Sequence, residues 1–491
     1  MRLRKGSETG KMSTGLPARP DVFKRKWIIL TAVMLGSFMG PLDGSIVNTV
    51  LPDITAYFHT NVSIAQWVPT VYLLTISCLI LLFGRLGDMV GYRRIYLLGL
   101  GSFATASLVC GFSQSVWMLI AFRALQGLAA GMMMAVSFAI ITAAFPPKER
   151  GRALGTYAIT IAVALGLGPT VGGAIAEYLS WHYVFFINVP IGIVALVWGM
   201  RIVPTSDVKM GQRLDWQGAL AAFVLLTCLL LGANQGQAWG WASPSTIILL
   251  AVALASAFAF ALIEKRVAQP MLDLTLFRSR VFSFAILSSL LNFMALYCLV
   301  FITPFYMAIV LRYSILKIGG VLAASPLATL FVAPVSGWLS DKVGSRWLAV
   351  SGMVVMAVGL SLLSELNASS GVADIVWRLA LCGVGSGLFQ SPNNSAVMGS
   401  VSRERLGISS GVLAAVRNVG MVLGIALSGV VLYNLVPFVA SGQVHVLSGA
   451  EVGQFMNGLR WSYIAGSVVA GFAVLTSLAA KKPTEEKSTK T

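Results

Sequence analysis

Charge is what this chain has least of. Asp, Glu, Lys and Arg make up 11% of its 491 residues, where soluble domains carry about a quarter. With 57% hydrophobic residues, it belongs to the polytopic helical membrane class, and soluble-domain size rules do not apply. Histidine is nearly absent: His59, His182 and His445 are scattered, so no metal cluster is visible. The five cysteines, Cys78, Cys110, Cys228, Cys298 and Cys382, all sit in apolar runs without a CxxC pair. They read as small buried side chains, and neither a disulfide framework nor a zinc site fits. No Gly-x(4)-Gly-Lys-Ser/Thr occurs, which excludes a P-loop ATPase within the chain. Paired intramembrane carboxylates, a His cluster and a Ser/His dyad at membrane depth are also missing, which argues against an enzyme. The tails are too short for a signalling domain. No small-residue cleavage site follows the first apolar run, so that run is expected to be retained rather than removed as a signal peptide.

What the chain does have is long apolar runs. Fourteen are expected, at approximately 28–50, 64–83, 94–112, 116–138, 153–174, 183–203, 217–234, 245–264, 282–309, 318–338, 346–364, 374–396, 407–434 and 461–480. Their lengths suit tilted membrane helices. The net charge of +17 invites a nucleic-acid reading, but its placement does not support one. With the N-terminus inside, 29 of the 35 Lys/Arg fall in the cytoplasmic loops and tails, 4 in the outer loops, and Arg123 and Arg417 within spans. That asymmetry follows the positive-inside rule and puts both termini in the cytoplasm. The basic residues then face anionic headgroups.

An acid stands out inside the first run. Gly40-Pro41-Leu42-Asp43-Gly44 places a carboxylate at membrane depth, where ionisable groups are costly and usually functional. The plain alternative is a protonated, hydrogen-bonded structural Asp. Asp43 lies seven residues before the outer end of its span and Arg123 seven after the outer start of span 4. At 1.5 Å per residue both sit about 10 Å below the outer surface. The two are expected to pair or to share a water. Burial would raise the Asp43 pKa and the arginine would lower it.

The chain also repeats itself. Gly84-Arg-Leu-Gly-Asp88-Met-Val-Gly91-Tyr-Arg93 returns as Gly337-Trp-Leu-Ser-Asp341-Lys-Val-Gly344-Ser-Arg346, and Lys148-Glu149-Arg150 as Arg403-Glu404-Arg405. Each longer copy is expected in a short cytoplasmic turn after an apolar helix. Spans 1–6 and 9–14 are therefore two copies of one six-helix unit, with spans 7 and 8 inserted between them. Internal duplication in a membrane protein points to a transporter whose site lies between the halves. The expected division is a basic N-tail (1–26), an N-terminal bundle (27–204), the inserted pair with its loops (205–280), a C-terminal bundle (281–480) and a C-tail (481–491).

These doubled motifs resemble the major facilitator superfamily. The fourteen spans, Leu42-Asp43…Asn48…Leu51-Pro52 and Trp181…Phe186-Ile187-Asn188-Val189-Pro190 resemble one branch of it, the fourteen-helix drug:proton antiporters, which includes multidrug-resistance pumps. The resemblance covers roughly residues 28 to 480. It implies an all-α major facilitator fold, two six-helix bundles rocking around a central cavity with two extra helices. Arg123-Ala-Leu-Gln126-Gly127 matches the mid-span motif whose arginine the family assigns to proton coupling. Gly168-Pro169-Thr-Val-Gly172-Gly173 matches the antiporter motif on span 5, which the family assigns to the contact between halves; Ala164 replaces its first glycine. The resemblance makes Gly84, Asp88, Gly91, Arg93, Arg94, Asp341 and Arg346 a cytoplasmic gate latch, with the basic residues pairing across the halves. Topology setting plus a tight glycine turn is the plain alternative.

Polar and aromatic residues on spans 1, 2, 4, 9 and 12 are candidates for the cavity: Asn48, Tyr72, Gln126, Asn292, Tyr297, Gln390, Asn393 and Asn394. Arg417 on span 13, followed by Gly420 and Gly424, resembles an Arg-Asn-x-Gly segment of the same branch. It is expected to face the cavity, in substrate contact or in structure. Phe389, Met294 and Met307 could supply adaptable wall. With Asp43 the only deep acid, monovalent lipophilic cations or neutral amphiphiles are the expected substrates. The functional expectation is multidrug efflux in exchange for external protons; the alternative is a proton-coupled carrier of one metabolite, such as an organic acid, sugar or siderophore. Expected partners are the lipid bilayer, small lipophilic substrates and protons, without nucleic acid. An accessory periplasmic protein is left open, a monomer is the expected working unit, and no cofactor or metal is expected.

Overall fold

The structure is a computed structural model and describes residues 24–60, 62–205, 214–267, 270–402, 405–436 and 449–480. Most of the N-tail, the C-tail and Arg403-Glu404 lie outside the described residues. Within them every regular element is helical, the arrangement that satisfies backbone groups inside a bilayer without a partner strand. Among the described residues, fourteen helical spans, some of them a short helix continued into a longer one, are long and apolar enough to cross a membrane. They are α1 (Lys26–Thr49), α2 (Trp67–Val90), α3 (Tyr92–Gly111), α4 (Val116–Ala144), α5 (Arg150–Tyr178), α6 (Asn188–Ile202), α7 (Trp216–Trp239), α8 (Pro244–Arg266), α9 (Arg280–Phe305), α10 (Ala324–Val343), α11 (Ser345–Leu363), α12 (Val372–Gly399), α13 (Leu406–Leu435) and α14 (Gly449–Ala479). A short helix, Tyr183–Phe186, leads into α6, another, Ile315–Leu322, leads into α10, and a π turn, Tyr306–Val310, extends α9.

Helices α1–α6 form one six-helix bundle and α9–α14 the other; α7 and α8 pack as a pair. The two bundles meet chiefly where α2 lies against α13 and α5 against α10. Missing side chains permit both approaches. A Cβ on Gly84 would fall 2.7 Å from the Gly407 carbonyl oxygen, and one on Gly151 would fall 2.5 Å from that of Gly337. Helix α7 touches α2 of one bundle and α13 of the other, so the inserted pair lies along the seam.

Two expectations about local structure are corrected. The repeated motif is not a turn: Gly84–Val90 and Gly337–Val343 are the last two turns of α2 and α10. The turn is one residue in each copy, Gly91 at φ 103° and Gly344 at φ 91°, where a side chain would be strained. Second, α14 begins at Gly449, well before the expected 461. The added stretch carries Glu451, Gln454, Asn457 and Arg460, polar residues that nevertheless favour or tolerate helix, so its polarity was not a loop signal. Arg460 therefore stands on a helix rather than in an outer loop.

Candidate transport site

The interior of the N-terminal bundle holds a closed polar network. Asp43 on α1 forms an ion pair with Arg123 on α4, and both side chains are wholly buried. Arg123 also donates to the Gln126 Oε1 at 2.7 Å and, through Nε, to the Val68 carbonyl at 3.2 Å. Gln126 Nε2 donates to Asp43 at 3.0 Å, and Asn188 Nδ2 to the same carboxylate oxygen at 2.9 Å. Both amides also donate to the Ser107 hydroxyl, at 3.1 Å each, and that hydroxyl donates to the Phe185 carbonyl at 2.9 Å. Tyr72 covers the network: its ring lies 4.0 Å from the guanidinium carbon, and its hydroxyl donates to the Gly40 carbonyl at 3.0 Å. Arg123 Nη2 and Asn188 Oδ1 remain unpartnered in this arrangement.

Asp43 and Arg123, placed at one depth by residue counting, are thus in contact. Gln126 and Tyr72, expected to line a cavity, instead belong to this sealed network inside one bundle. Asn188 and Ser107 belong to it without having been singled out as site residues. Asn188 had a sequence signal, since it stands in the Phe186-Ile187-Asn188 segment; Ser107 had none. An isolated Arg–Asp pair in a low-dielectric interior would carry a heavy desolvation cost, and the added donors offset it.

At the end of the molecule where α2, α4, α10 and α12 terminate, two latches join the bundles in matching fashion. Asp88 accepts from the backbone N–H of Gly407 at 2.8 Å and Ile408 at 2.9 Å, and from the Tyr92 hydroxyl at 2.7 Å. Asp341 accepts from the N–H of Gly151 at 2.9 Å and Arg152 at 3.0 Å. Each acid sits near the C-terminus of its own helix, where the macrodipole disfavours it. Each caps the N-terminus of a helix in the opposite bundle, where the dipole and the free N–H groups favour it.

The expected pairing of Arg93 and Arg346 with acids across the halves is not what the described residues show. Arg93 donates to the Met200 carbonyl at the end of α6, within its own bundle. Arg346 donates to the Leu478 carbonyl at the end of α14 at 3.0 Å, also within its own bundle. Arg94 is exposed. Carbonyls at helix C-termini outcompete distant carboxylates because they lie within reach and carry the negative end of the dipole.

The antiporter motif is corrected likewise. Gly168 and Gly172 pack on α1 of the same bundle, where added Cβ atoms would meet Ser45 Oγ at 2.3 Å and the Ile46 carbonyl at 3.1 Å. Gly173 meets nothing within 4 Å. The Pro169 side chain lies outside the described residues. The inter-bundle contact on α5 is made by Gly151 and Gly155 at its other end. Ala164 is buried in one cluster with Leu42 and Ile46, so its methyl is accommodated.

Between the bundles lies a small cavity of about 10 Å³. Gln390, Asn394 and Arg417 line it, with Tyr157, Ser289 and Phe293. Asn393 lines instead a cleft of about 870 Å³ at the latch end of the C-terminal bundle. Asn292 is buried without a hydrogen bond, Asn48 is exposed, and Tyr297 is half-buried near Arg417. Phe389 and Met307 are buried in the C-terminal core and Met294 is only half-buried; none of the three lines the cavity.

The Major Facilitator Superfamily pattern matches residues 33–425 and, overlapping, 285–491. The chain is 33% identical over 404 residues to the riboflavin transporter RibZ of Clostridioides difficile, covering 82% of this chain and 87% of that one. It is also 33% identical over 408 residues to the multidrug resistance protein Stp of Mycobacterium tuberculosis, covering 82% and 75%. In structure it matches the human organic anion transporter MFSD10 with a TM-score of 0.65 over 92% of this chain and 99% of that one, at 15% identity. With its two six-helix bundles, its paired acid latches and these relatives, the chain belongs to the Major Facilitator Superfamily of membrane transporters.

Proposed function

We propose that this protein is a secondary active exporter that exchanges external protons for small lipophilic molecules by alternating access. It sits in the cytoplasmic membrane with its latch end and both termini inside, the side favoured by 29 of its 35 basic residues. The single observation that carries the reading is Asp43, a carboxylate buried at membrane depth and held by Arg123, Gln126 and Asn188. Protonation would cancel its charge, release the ion pair and leave the Arg123 guanidinium to find new partners. That is a change of state with a large local energy, delivered by one proton.

The change has a short route to the latch. Ser45 and Ile46 follow Asp43 on α1 and lie directly beneath Gly168 and Gly172 of α5. The other end of α5 carries Gly151 and Arg152, whose N–H groups Asp341 holds. A shift of α1 along α5 therefore bears on the contact that keeps the latch end shut, a shear of the kind that packed helices support. One proton crossing 100 mV supplies about 2.3 kcal/mol, enough for roughly a 50-fold gradient.

The multidrug relative supports a broad substrate range. The riboflavin relative supports a second reading, a carrier dedicated to one metabolite. Proteoliposomes with an imposed pH gradient separate the two. A pump of broad range moves rhodamine 123, Nile red and fluorescein uphill until nigericin collapses the gradient. A dedicated carrier moves one compound or none of these. Movement of any of them that ignores the gradient would end the proton-coupled reading.

A further inference from the structure

The two arginines buried inside the spans have opposite surroundings. Arg123 bonds a carboxylate, an amide and a carbonyl, and only its Nη2 lacks a partner. Arg417, on α13, is 8% exposed, and among the described residues no hydrogen bond or ion pair engages it. Its Nε is buried and unpartnered. The nearest aromatic face, Phe293 on α9, lies 5.9 Å from the guanidinium carbon, a weak contact for so costly a charge.

The chain fixes Arg417 in that position. One and two turns further along α13, Gly420 and Gly424 press against α9. Added Cβ atoms there would lie 2.6 Å from the Leu290 carbonyl and 2.3 Å from that of Met294. On its other side the next residue, Asn418, donates to Ser77 of the N-terminal bundle at 3.1 Å. The arginine is therefore held at the seam, lining the central cavity, which at about 10 Å³ has room for about one water here and must widen to admit a substrate. That cavity receives Gln390 and Asn394 from α12, Ser289 from α9 and Tyr157 from α5, and no carboxylate among the described residues.

An unpaired buried charge is expensive, and a ligand that neutralises it recovers that cost on binding. We infer that Arg417 is the charge-selecting residue of the central cavity and that this transporter takes amphiphilic substrates bearing an anionic group, a carboxylate or phenolate beside an aromatic or apolar body. The guanidinium fork suits a carboxylate in a bidentate pair. Tyr157 and Phe293 supply the faces for the apolar body, and Gln390, Asn394 and Ser289 supply neutral hydrogen-bonding groups. This assignment deepens the exporter reading and rests on it for the location of the substrate. It also reverses the cationic or neutral expectation, which followed from the scarcity of acids and gave no weight to a cation left without a partner.

The test compares fluorescein, which carries a carboxylate and a phenolate, with rhodamine 123, a cation on the same tricyclic skeleton. Binding is read by fluorescence anisotropy on the full-length protein in nanodiscs. The wild type is expected to bind fluorescein at least about tenfold more tightly than rhodamine 123. Arg417→Gln is expected to lose about tenfold or more for fluorescein with little change for rhodamine 123, and Arg417→Lys, which keeps the charge but not the fork, to fall between the two. Should Arg417→Gln fail to purify, Arg417→Met, which retains apolar packing on Phe293, takes its place with the same expected loss. Absence of saturable fluorescein binding to the wild type, preference for rhodamine 123, or unchanged fluorescein affinity without the charge would each overturn the assignment. Cation preference with intact pH-driven export would remove the anion assignment and leave the exporter standing. Anion binding without pH-driven movement would do the reverse.

Discussion

In the N-terminal bundle a buried arginine pairs with a carboxylate and bonds an amide and a carbonyl, with one guanidinium nitrogen left over; in the C-terminal bundle a buried arginine lines the seam with no counter-ion among the described residues. At their latch ends the same two bundles match closely, each lending one aspartate to cap a helix of the other. Duplication has kept the paired caps between the bundles and let the interiors diverge. On the proposed reading, energy coupling and substrate recognition then fall to different bundles and different arginines.

The largest effect that sharpens this contrast is expected at Arg123. Arg123→Ala strands a buried carboxylate and should cost about 3–5 kcal/mol of stability, read as a lowered thermal midpoint in detergent; Arg417→Ala, which strands nothing, should cost far less. Equal losses at the two sites would erase the distinction. Next comes Asn188→Ala. It removes a donor to a charged acceptor and should cost about 1.5–3 kcal/mol, with a comparable fall in pH-driven flux.

The latches follow. Asp88→Asn and Asp341→Asn each weaken two charge-assisted bonds to helix N-termini. A loss of about 1.4 kcal/mol apiece corresponds to about tenfold in the open-to-closed ratio, readable as spin-label distances across the latch end. The matching geometry predicts similar shifts and near-additivity in the double variant; one silent latch would break the symmetry.

The smallest effect is at the surface. Asp273 pairs with Arg405 at 2.7 Å, tying the connection between α8 and α9 to the start of α13. Burial pushes the Asp273 carboxyl up, but hydrogen bonds from Thr275 and the charges of Arg405 and Arg278 outweigh it and hold the group below its ordinary value. A lowered folded-state pKa means the stabilisation is full above the unfolded value, about 3.9. It is lost only as pH falls through the folded value. Arg405→Ala should therefore shift the melting temperature slightly, by the equivalent of under about 1 kcal/mol. The shift should be the same at pH 6 and pH 8.

Much of this architecture was legible in the sequence because membranes force it to be. Apolar run length gave the helix number, and the doubled Gly-x-Leu-x-Asp motif gave the two bundles. Counting residues from span ends put Asp43 and Arg123 at one level. What stayed hidden were partners distant in the chain. Nothing near Asp88 announces that its acceptors bind N–H groups of Gly407 and Ile408, because backbone donors carry no sequence signature. The basic neighbours looked like the natural partners, yet Arg93 and Arg346 found carbonyls in their own bundles. Ser107 is one serine among many apolar residues, and only the convergence of α3, α4 and α6 makes it a shared acceptor. Gly168 and Gly172 were visible as a close-packing surface, but the helix they receive, α1, was not.

The central claim is that the proton rides on Asp43. Reconstituted Asp43→Asn tests it most directly, with downhill exchange of fluorescein and pH-driven uphill accumulation measured on the same vesicles. The account predicts that exchange persists while accumulation disappears. Accumulation against a gradient by Asp43→Asn, driven by pH and abolished by nigericin, would contradict it.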